Sequence, residues 1–85
     1  MYALRFGSRA VKELQNCSPD IRERVLDAVE SLAGNPRPPG SKKLSGALAG
    51  SFRIRVGSYR VIYDIHDGKR AVLIAKIGPR KSIYR

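Results

Sequence analysis

Apolar and polar positions alternate most strictly over residues 52 to 63, Phe-Arg-Ile-Arg-Val-Gly-Ser-Tyr-Arg-Val-Ile-Tyr. Period-two alternation on both sides of a Gly-Ser pair predicts a β-hairpin, and Gly at the first central position suits a two-residue type II′ turn. Counting outward from Gly57-Ser58 sets Val56 opposite Tyr59, Ile54 opposite Val61 and Phe52 opposite Tyr63, all on one apolar face expected to meet the core. The other face then carries Arg55 directly across from Arg60, with Arg53 one pair further along beside Ile62. Like charges opposed at a Cβ separation of roughly 5 Å destabilise a strand pair, and a shared anion would relieve them.

Around this hairpin the pattern predicts a short, simple chain path. Tyr2 to Phe6 alternates as a first strand, and Ser8 is a candidate N-cap for a helix that carries Ala10, Val11 and Leu14 on one side and ends near Cys17. Ser18-Pro19-Asp20 is a stronger helix start: Ser accepts from the orphan N–H groups, Pro is pre-set for the first helical position, and Asp favours the positive end of the dipole. Ile21, Val25, Ala28, Val29 and Leu32 then form one apolar stripe, stopped by Gly34-Asn35-Pro36 with a glycine suited to the C′ position. Two helices joined this tightly are expected to lie antiparallel. Pro36, Pro38, Pro39, Gly40, Gly46 and Gly50 mark residues 35 to 50 as an irregular connector. Asp67-Gly68 reads as a second turn, and Ala71 to Ile77 as a last strand broken by Gly78-Pro79. The expected fold is one α+β domain over residues 1 to 85, ordered β-α-α-β-β-β, with a helix hairpin packed on one face of a small antiparallel sheet and the arginine face left open.

Length and charge narrow the function. A chain of 85 residues holds a single core. Its 17 Lys and Arg against 7 Asp and Glu give a net charge of +10, and the excess is confined to one part of the sequence. Through residue 30, Arg5, Arg9, Lys12, Arg22 and Arg24 balance Glu13, Asp20, Glu23, Asp27 and Glu30, whereas beyond it the basic groups face only Asp64 and Asp67. Such a field attracts nucleic-acid phosphates or an acidic protein segment. The lone Cys17 excludes an internal disulfide or a cysteine-based metal site; it is expected to pack at a helix end, in a cytoplasmic protein. The start Met-Tyr-Ala-Leu-Arg-Phe has no signal-peptide core and the longest apolar run is Ala71 to Ala75, so the protein is expected to be neither secreted nor membrane-spanning.

The familiar catalytic sets are missing. His66 is the only histidine and sits beside the Asp67-Gly68 turn as a solvated loop residue, Asp64 and Asp67 lack the companions of a metal site, and the glycines do not fall at nucleotide-binding spacing. Neither a metal nor a nucleotide cofactor is expected. What remains is Arg53, Arg55 and Arg60 on one sheet face, with Arg80 just past the last strand. Guanidinium groups offer planar forked donors, stay charged at any working pH, and stabilise charge growing on a phosphorane-like transition state. The titratable groups nearby are Tyr84, Lys81 and Lys76, and Tyr84 could instead stack on a base. Lys42 and Lys43, in the connector, are either ordinary surface lysines or contacts to an extended polyanion.

Together these residues resemble the RelE/ParE toxin superfamily of bacterial and archaeal toxin–antitoxin systems. The resemblance runs the full length. It is carried by the early Ala-Val-Lys-Glu-Leu, Asn35-Pro36, Lys43-Leu44-Ser45-Gly46, the stretch from Arg53 to Tyr63, and the ending Gly78-Pro79-Arg80 with Ile83-Tyr84. It implies a ribosome-dependent endoribonuclease of the RelE-like branch, which cuts messenger RNA in the ribosomal A site by driving a ribose 2′-OH onto the adjacent phosphate without a metal. Under it Arg60 and Arg80 are expected to stabilise the scissile phosphate, Arg53 and Arg55 to position the RNA backbone, and Tyr84 to stack on or help activate the nucleotide. Lys42, Lys43, Lys76 and Lys81 would add RNA contacts. Arg53 and Arg55 stand where some family members have lysines able to exchange protons. The alternative branch, ParE-like inhibitors of DNA gyrase, shares the fold but generally lacks the full set of five residues. The resemblance also implies a RelB-like antitoxin that wraps the basic domain and folds on binding, with operator DNA read only through that antitoxin. The sequence ends one residue past Tyr84, so the tyrosine is expected to stand without a following helix to buttress it.

Overall fold

The computed structural model describes residues 1–84; Arg85, the end of the basic tail, lies outside the described residues. The elements are strand β1 (Ala3–Phe6), helix α1 (Ser8–Gln15), helix α2 (Pro19–Ser31), strand β2 (Lys42–Lys43), strand β3 (Phe52–Val56), strand β4 (Tyr59–His66) and strand β5 (Ala71–Pro79). The five strands form one sheet in the order β1-β5-β4-β3-β2. Ala10, Val25, Val29 and Leu32 from the helices meet Ile54, Val56, Val61, Tyr63, Val72, Ile74 and Ile77 from the sheet in a single core, with Cys17 packed at the helix junction.

The hairpin has the expected register: Val56 pairs with Tyr59, Arg55 with Arg60, Ile54 with Val61, Arg53 with Ile62 and Phe52 with Tyr63. Its turn needs a glycine, because Gly57 has φ +60°, and a Cβ there would lie 3.2 Å from a guanidinium nitrogen of Arg24 on α2. Replacing Gly57 by alanine therefore meets both backbone strain and a crowded neighbour. A loss of about 1–2 kcal/mol is expected in urea unfolding.

Several expectations change in contact with the structure. The sheet is mixed, not wholly antiparallel: β1 runs parallel to β5, Ala3 pairing with Ala71 and Phe6 with Ile74. A parallel pair needs a long crossover, and the helices, connector and hairpin between residues 7 and 70 supply it. The connector is not entirely irregular either, since Lys42 and Lys43 add the edge strand β2 to β3 and Gly46–Leu48 make a 3₁₀ turn. Ser8 is the first residue of α1, and Gly7 caps it without a side-chain bond. The second cap holds as read: Ser18 Oγ accepts from the Ile21 N–H at 3.4 Å, with Pro19 opening the helix. At its other end α2 stops through αR residues and i→i−3 bonds from Leu32 and Ala33, and Gly34 takes no left-handed turn. The β4–β5 link is a 3₁₀ turn over Asp67–Lys69 closed by Arg70 at φ 49°, and β5 continues through Gly78 to Pro79.

Two polar contacts fasten the connector to the sheet. The buried Tyr63 hydroxyl donates to the Pro36 carbonyl at 2.8 Å. On the surface Asp67 accepts from Arg37 at 2.9 Å and from the Tyr2 hydroxyl at 2.6 Å, and Arg37 lies over the Phe52 ring. Arg37 foremost, with Tyr2, holds the Asp67 carboxyl down at about 2. A depressed carboxylate contributes stability above its unfolded value, roughly 3.9, and that contribution disappears as pH falls to about 2. Wild type should thus exceed Asp67→Asn in thermal stability at pH 6, and the gap should close on acidification to about pH 2, as scanning calorimetry would register.

Candidate phosphate-binding site

Strand pairing alone puts three arginines on the face away from the helices. Arg55 and Arg60 are partners across β3 and β4, and Arg53, opposite Ile62, lies two residues along on the same face. The fourth comes from the chain beyond β5. Ladder pairing of Tyr59 with Pro79 runs β5 alongside the hairpin turn, and the Arg80 N–H then donates to the Ser58 carbonyl at 3.1 Å. That bond fixes Arg80 beside Arg60. Past it, the Ser82 and Ile83 N–H groups both donate to the Pro79 carbonyl, so the chain turns back and delivers Tyr84 to the same place.

The result is one open cleft of about 320 Å³ lined by Lys42, Leu44, Arg53, Arg55, Arg60, Arg80 and Tyr84. All five residues expected to act at the phosphate line it, and no Asp, Glu or His does. Arg53 and Arg60 are only 7% and 8% exposed, unusual for arginines without a carboxylate partner. Among the described residues the ion pairs are Arg9–Glu13 and Arg37–Asp67, neither in the cleft. Arg60 spends one nitrogen on the carbonyls of Gly57 and Tyr59, at 3.2 and 3.0 Å, which orients its fork. Burial first, and then the charges of Arg55, Arg53 and Arg80, lower the Arg60 pKa, whereas Tyr84 acts in the opposite direction. Arg53 Nη1 is buried and has no hydrogen-bond partner among the described residues. Partly desolvated, mutually repelling guanidinium groups with spare donors would be stabilised by an anion bound between them.

The lysines divide. Lys42 lines the cleft, and a second cleft of about 460 Å³ continues from it past Arg53 and Arg55 to Pro39, Gly40 and Ser41. Lys81 lines an adjoining cleft with Ser58, Arg60, Pro79 and Arg80. Lys76 pairs with Ile62 and so shares the arginine face, outside the cleft itself. Lys43 pairs with Phe52, which by alternation turns it toward the opposite face. Leu44 is a lining residue that periodicity does not mark, because the connector around it has none; it enters the sequence reading only within the Lys43-Leu44-Ser45-Gly46 stretch of the family resemblance.

Fold and site define a small basic α+β domain with an open cleft lined by four arginines, a lysine and a tyrosine. The chain belongs to the ParE toxin family of type II toxin–antitoxin systems, whose family model matches residues 4–84. It is 36% identical to Toxin RelG of Mycobacterium tuberculosis, over 99% of this chain and 97% of that protein. The mRNA interferase toxin RelE of Escherichia coli K12 is 26% identical over 94% of this chain and 84% of its own length. Among solved structures, the RelBE2 toxin–antitoxin complex of M. tuberculosis contains a chain that superposes with a TM-score of 0.84 at 32% identity, covering 93% of this chain and 98% of that one. The archaeal RelE–RelB complex of Pyrococcus horikoshii gives 0.82 at 30% identity, with coverages of 95% and 97%.

Proposed function

We propose that this protein is a RelE-like toxin that acts as a messenger RNA endoribonuclease in the ribosomal A site, held in check by a RelB-like antitoxin. The observation that carries the reading is the cleft itself: four arginines and a tyrosine from three separate stretches of chain, with no Asp or Glu among its described lining residues. A relative named as an mRNA interferase supports it, as do relatives solved as toxin–antitoxin complexes.

In this mechanism the ribose 2′-oxygen attacks the adjacent phosphorus. The 2′-O–P bond forms as the P–O5′ bond breaks; the 2′-hydroxyl gives up a proton and the departing 5′-oxygen takes one. Arg60 and Arg80 neutralise the charge gathering on the non-bridging oxygens, where fixed donors in a partly desolvated site act most strongly. Arg53 and Arg55 hold the backbone in line, and the buried Arg53 Nη1 offers a donor with no partner among the described residues. Tyr84, half exposed at the rim, stacks on the nucleotide or assists its activation. Lys42, Lys76 and Lys81 extend the positive track along the strand. The antitoxin would silence the site by covering it, and operator DNA would be contacted through the antitoxin. The protein would work in the cytoplasm, where translated message is found, and no described helix is long and apolar enough to cross a membrane.

The deciding experiment is primer extension on a message translated in a purified system with the wild-type protein. Stops within the coding region that require ribosomes support the reading; intact message removes it. The family model bears the ParE name, so a gyrase supercoiling assay runs in parallel. Blocked supercoiling with uncut message would establish the inhibitor branch instead.

A further inference from the structure

We propose that Ile83 is a positioning residue, the anchor that holds Tyr84 over the arginine cleft; the inference rests on the ribonuclease reading and deepens it. Ile83 is 2% exposed, yet it follows exposed Lys81 and Ser82 and precedes Tyr84, which is 49% exposed. A buried aliphatic side chain in an otherwise solvated turn has a specific seat. That seat is Gly78. A Cβ built there would lie 3.3 Å from Ile83 Cδ1, closer than ordinary contact, so the absence of a side chain at 78 is what admits the isoleucine. Gly78 pairs with Arg60 across β4 and β5, which brings the seat beside the phosphate site.

Ile83 is not part of the main core between helices and sheet. Ile83 itself lines a separate cleft of about 370 Å³ with Arg9, Glu13, Asn16, Cys17 and Tyr59, where Glu13 accepts from the Ile77 N–H of β5 at 2.9 Å. The isoleucine thus closes the turn against the unpaired edge of β5, beyond the reach of β1. Arg80 and Tyr84 depend on it unequally. Arg80 is pinned independently by its N–H bond to Ser58, whereas among the described residues Tyr84 is held through the Ser82 and Ile83 N–H bonds onto the Pro79 carbonyl and the Ile83 anchor before it. Removing the anchor should free the tyrosine and spare the arginine.

The test uses Ile83→Ala, Ile83→Val, Gly78→Ala and Tyr84→Ala, read in two ways. In the free protein, aromatic NMR should show the Tyr84 ring resonances of Ile83→Ala moving to random-coil positions while those of Tyr2 and Tyr63, which lie away from the Ile83 cleft, stay in place; unchanged Tyr84 resonances would overturn the proposal whatever the activity. In the ribosomal cleavage assay, Ile83→Ala should lower kcat by about 10- to 100-fold with little change in KM, because misplacing one reacting group costs rate rather than binding. Ile83→Val should restore most of the rate, and Gly78→Ala, which pushes the δ-methyl outward, should fall between. Combining Ile83→Ala with Tyr84→Ala should cost no more than Tyr84→Ala alone, and additive losses would overturn the proposal. A wild type that leaves message intact would instead defeat the ribonuclease reading, and the NMR result would stand apart from it.

Discussion

Alanine in place of Arg60 or of Arg80 should each reduce message cleavage by about 10²–10³-fold in kcat, the usual cost of deleting one fixed donor from a transition-state charge site. The two differ in how they should respond to a lysine. Arg60 is 8% exposed and spends part of its fork on the carbonyls of Gly57 and Tyr59, so a lysine there keeps the charge but loses its orientation. Arg60→Lys should recover little. Arg80 is exposed and its backbone, not its side chain, ties it to the hairpin turn, so Arg80→Lys should recover more. Arg80→Ala should unfold at or above the wild-type temperature, since it removes an exposed member of a group of mutually repelling cations, whereas Arg60→Ala offsets that gain by leaving the Gly57 and Tyr59 carbonyls without their donor. Cleavage at the wild-type rate by folded Arg60→Ala would show that the cleft is not the catalytic one.

The largest effect on stability should come from Tyr63. Its side chain is wholly buried, stacks on Phe52 with ring centroids 6.0 Å apart, and donates to the Pro36 carbonyl. Truncation to alanine removes the ring from the core and leaves that carbonyl without its donor, so a loss of about 3–5 kcal/mol is expected, a large share of the stability of a domain this small. Tyr63→Phe separates the two contributions: it keeps the ring and loses only the hydrogen bond, about 1–3 kcal/mol. Urea unfolding of the three proteins measures both. Because Pro36 begins the connector that leads to β2 and Lys42, the phenylalanine variant should also loosen the far wall of the cleft.

The parts of this molecule legible in the sequence are those whose signals are local. The hairpin register follows from one turn and a period of two, and it already implies Arg55 against Arg60. Ser18-Pro19 marks a helix start because capping chemistry is confined to one turn of chain. The direction of β1 is a different kind of fact: Tyr2 to Phe6 alternates equally well beside either neighbour, and only the closure of the whole chain decides that it joins β5 in parallel. Positive φ is misread for a similar reason. Gly68 offers itself for the β4–β5 turn, yet Arg70 takes the left-handed position, with its guanidinium lying over the Tyr2 ring. Within the site, the arginines announce themselves by charge and alternation, whereas Leu44 and Ile83 act through contacts made after irregular chain has been folded, and no pattern of spacing reports them.

The parallel pairing of β1 with β5 also sets a timetable. β1 finds no sheet neighbour until the residues from Ala71 onward have been made, and Arg80 and Tyr84 follow later still. During its own synthesis the chain can present Arg53, Arg55 and Arg60 only as a loose hairpin, without the arginine and tyrosine that complete the cleft. The cleft therefore gains its full lining only after the chain beyond Arg80 has joined the sheet, whatever the order in which the earlier parts fold.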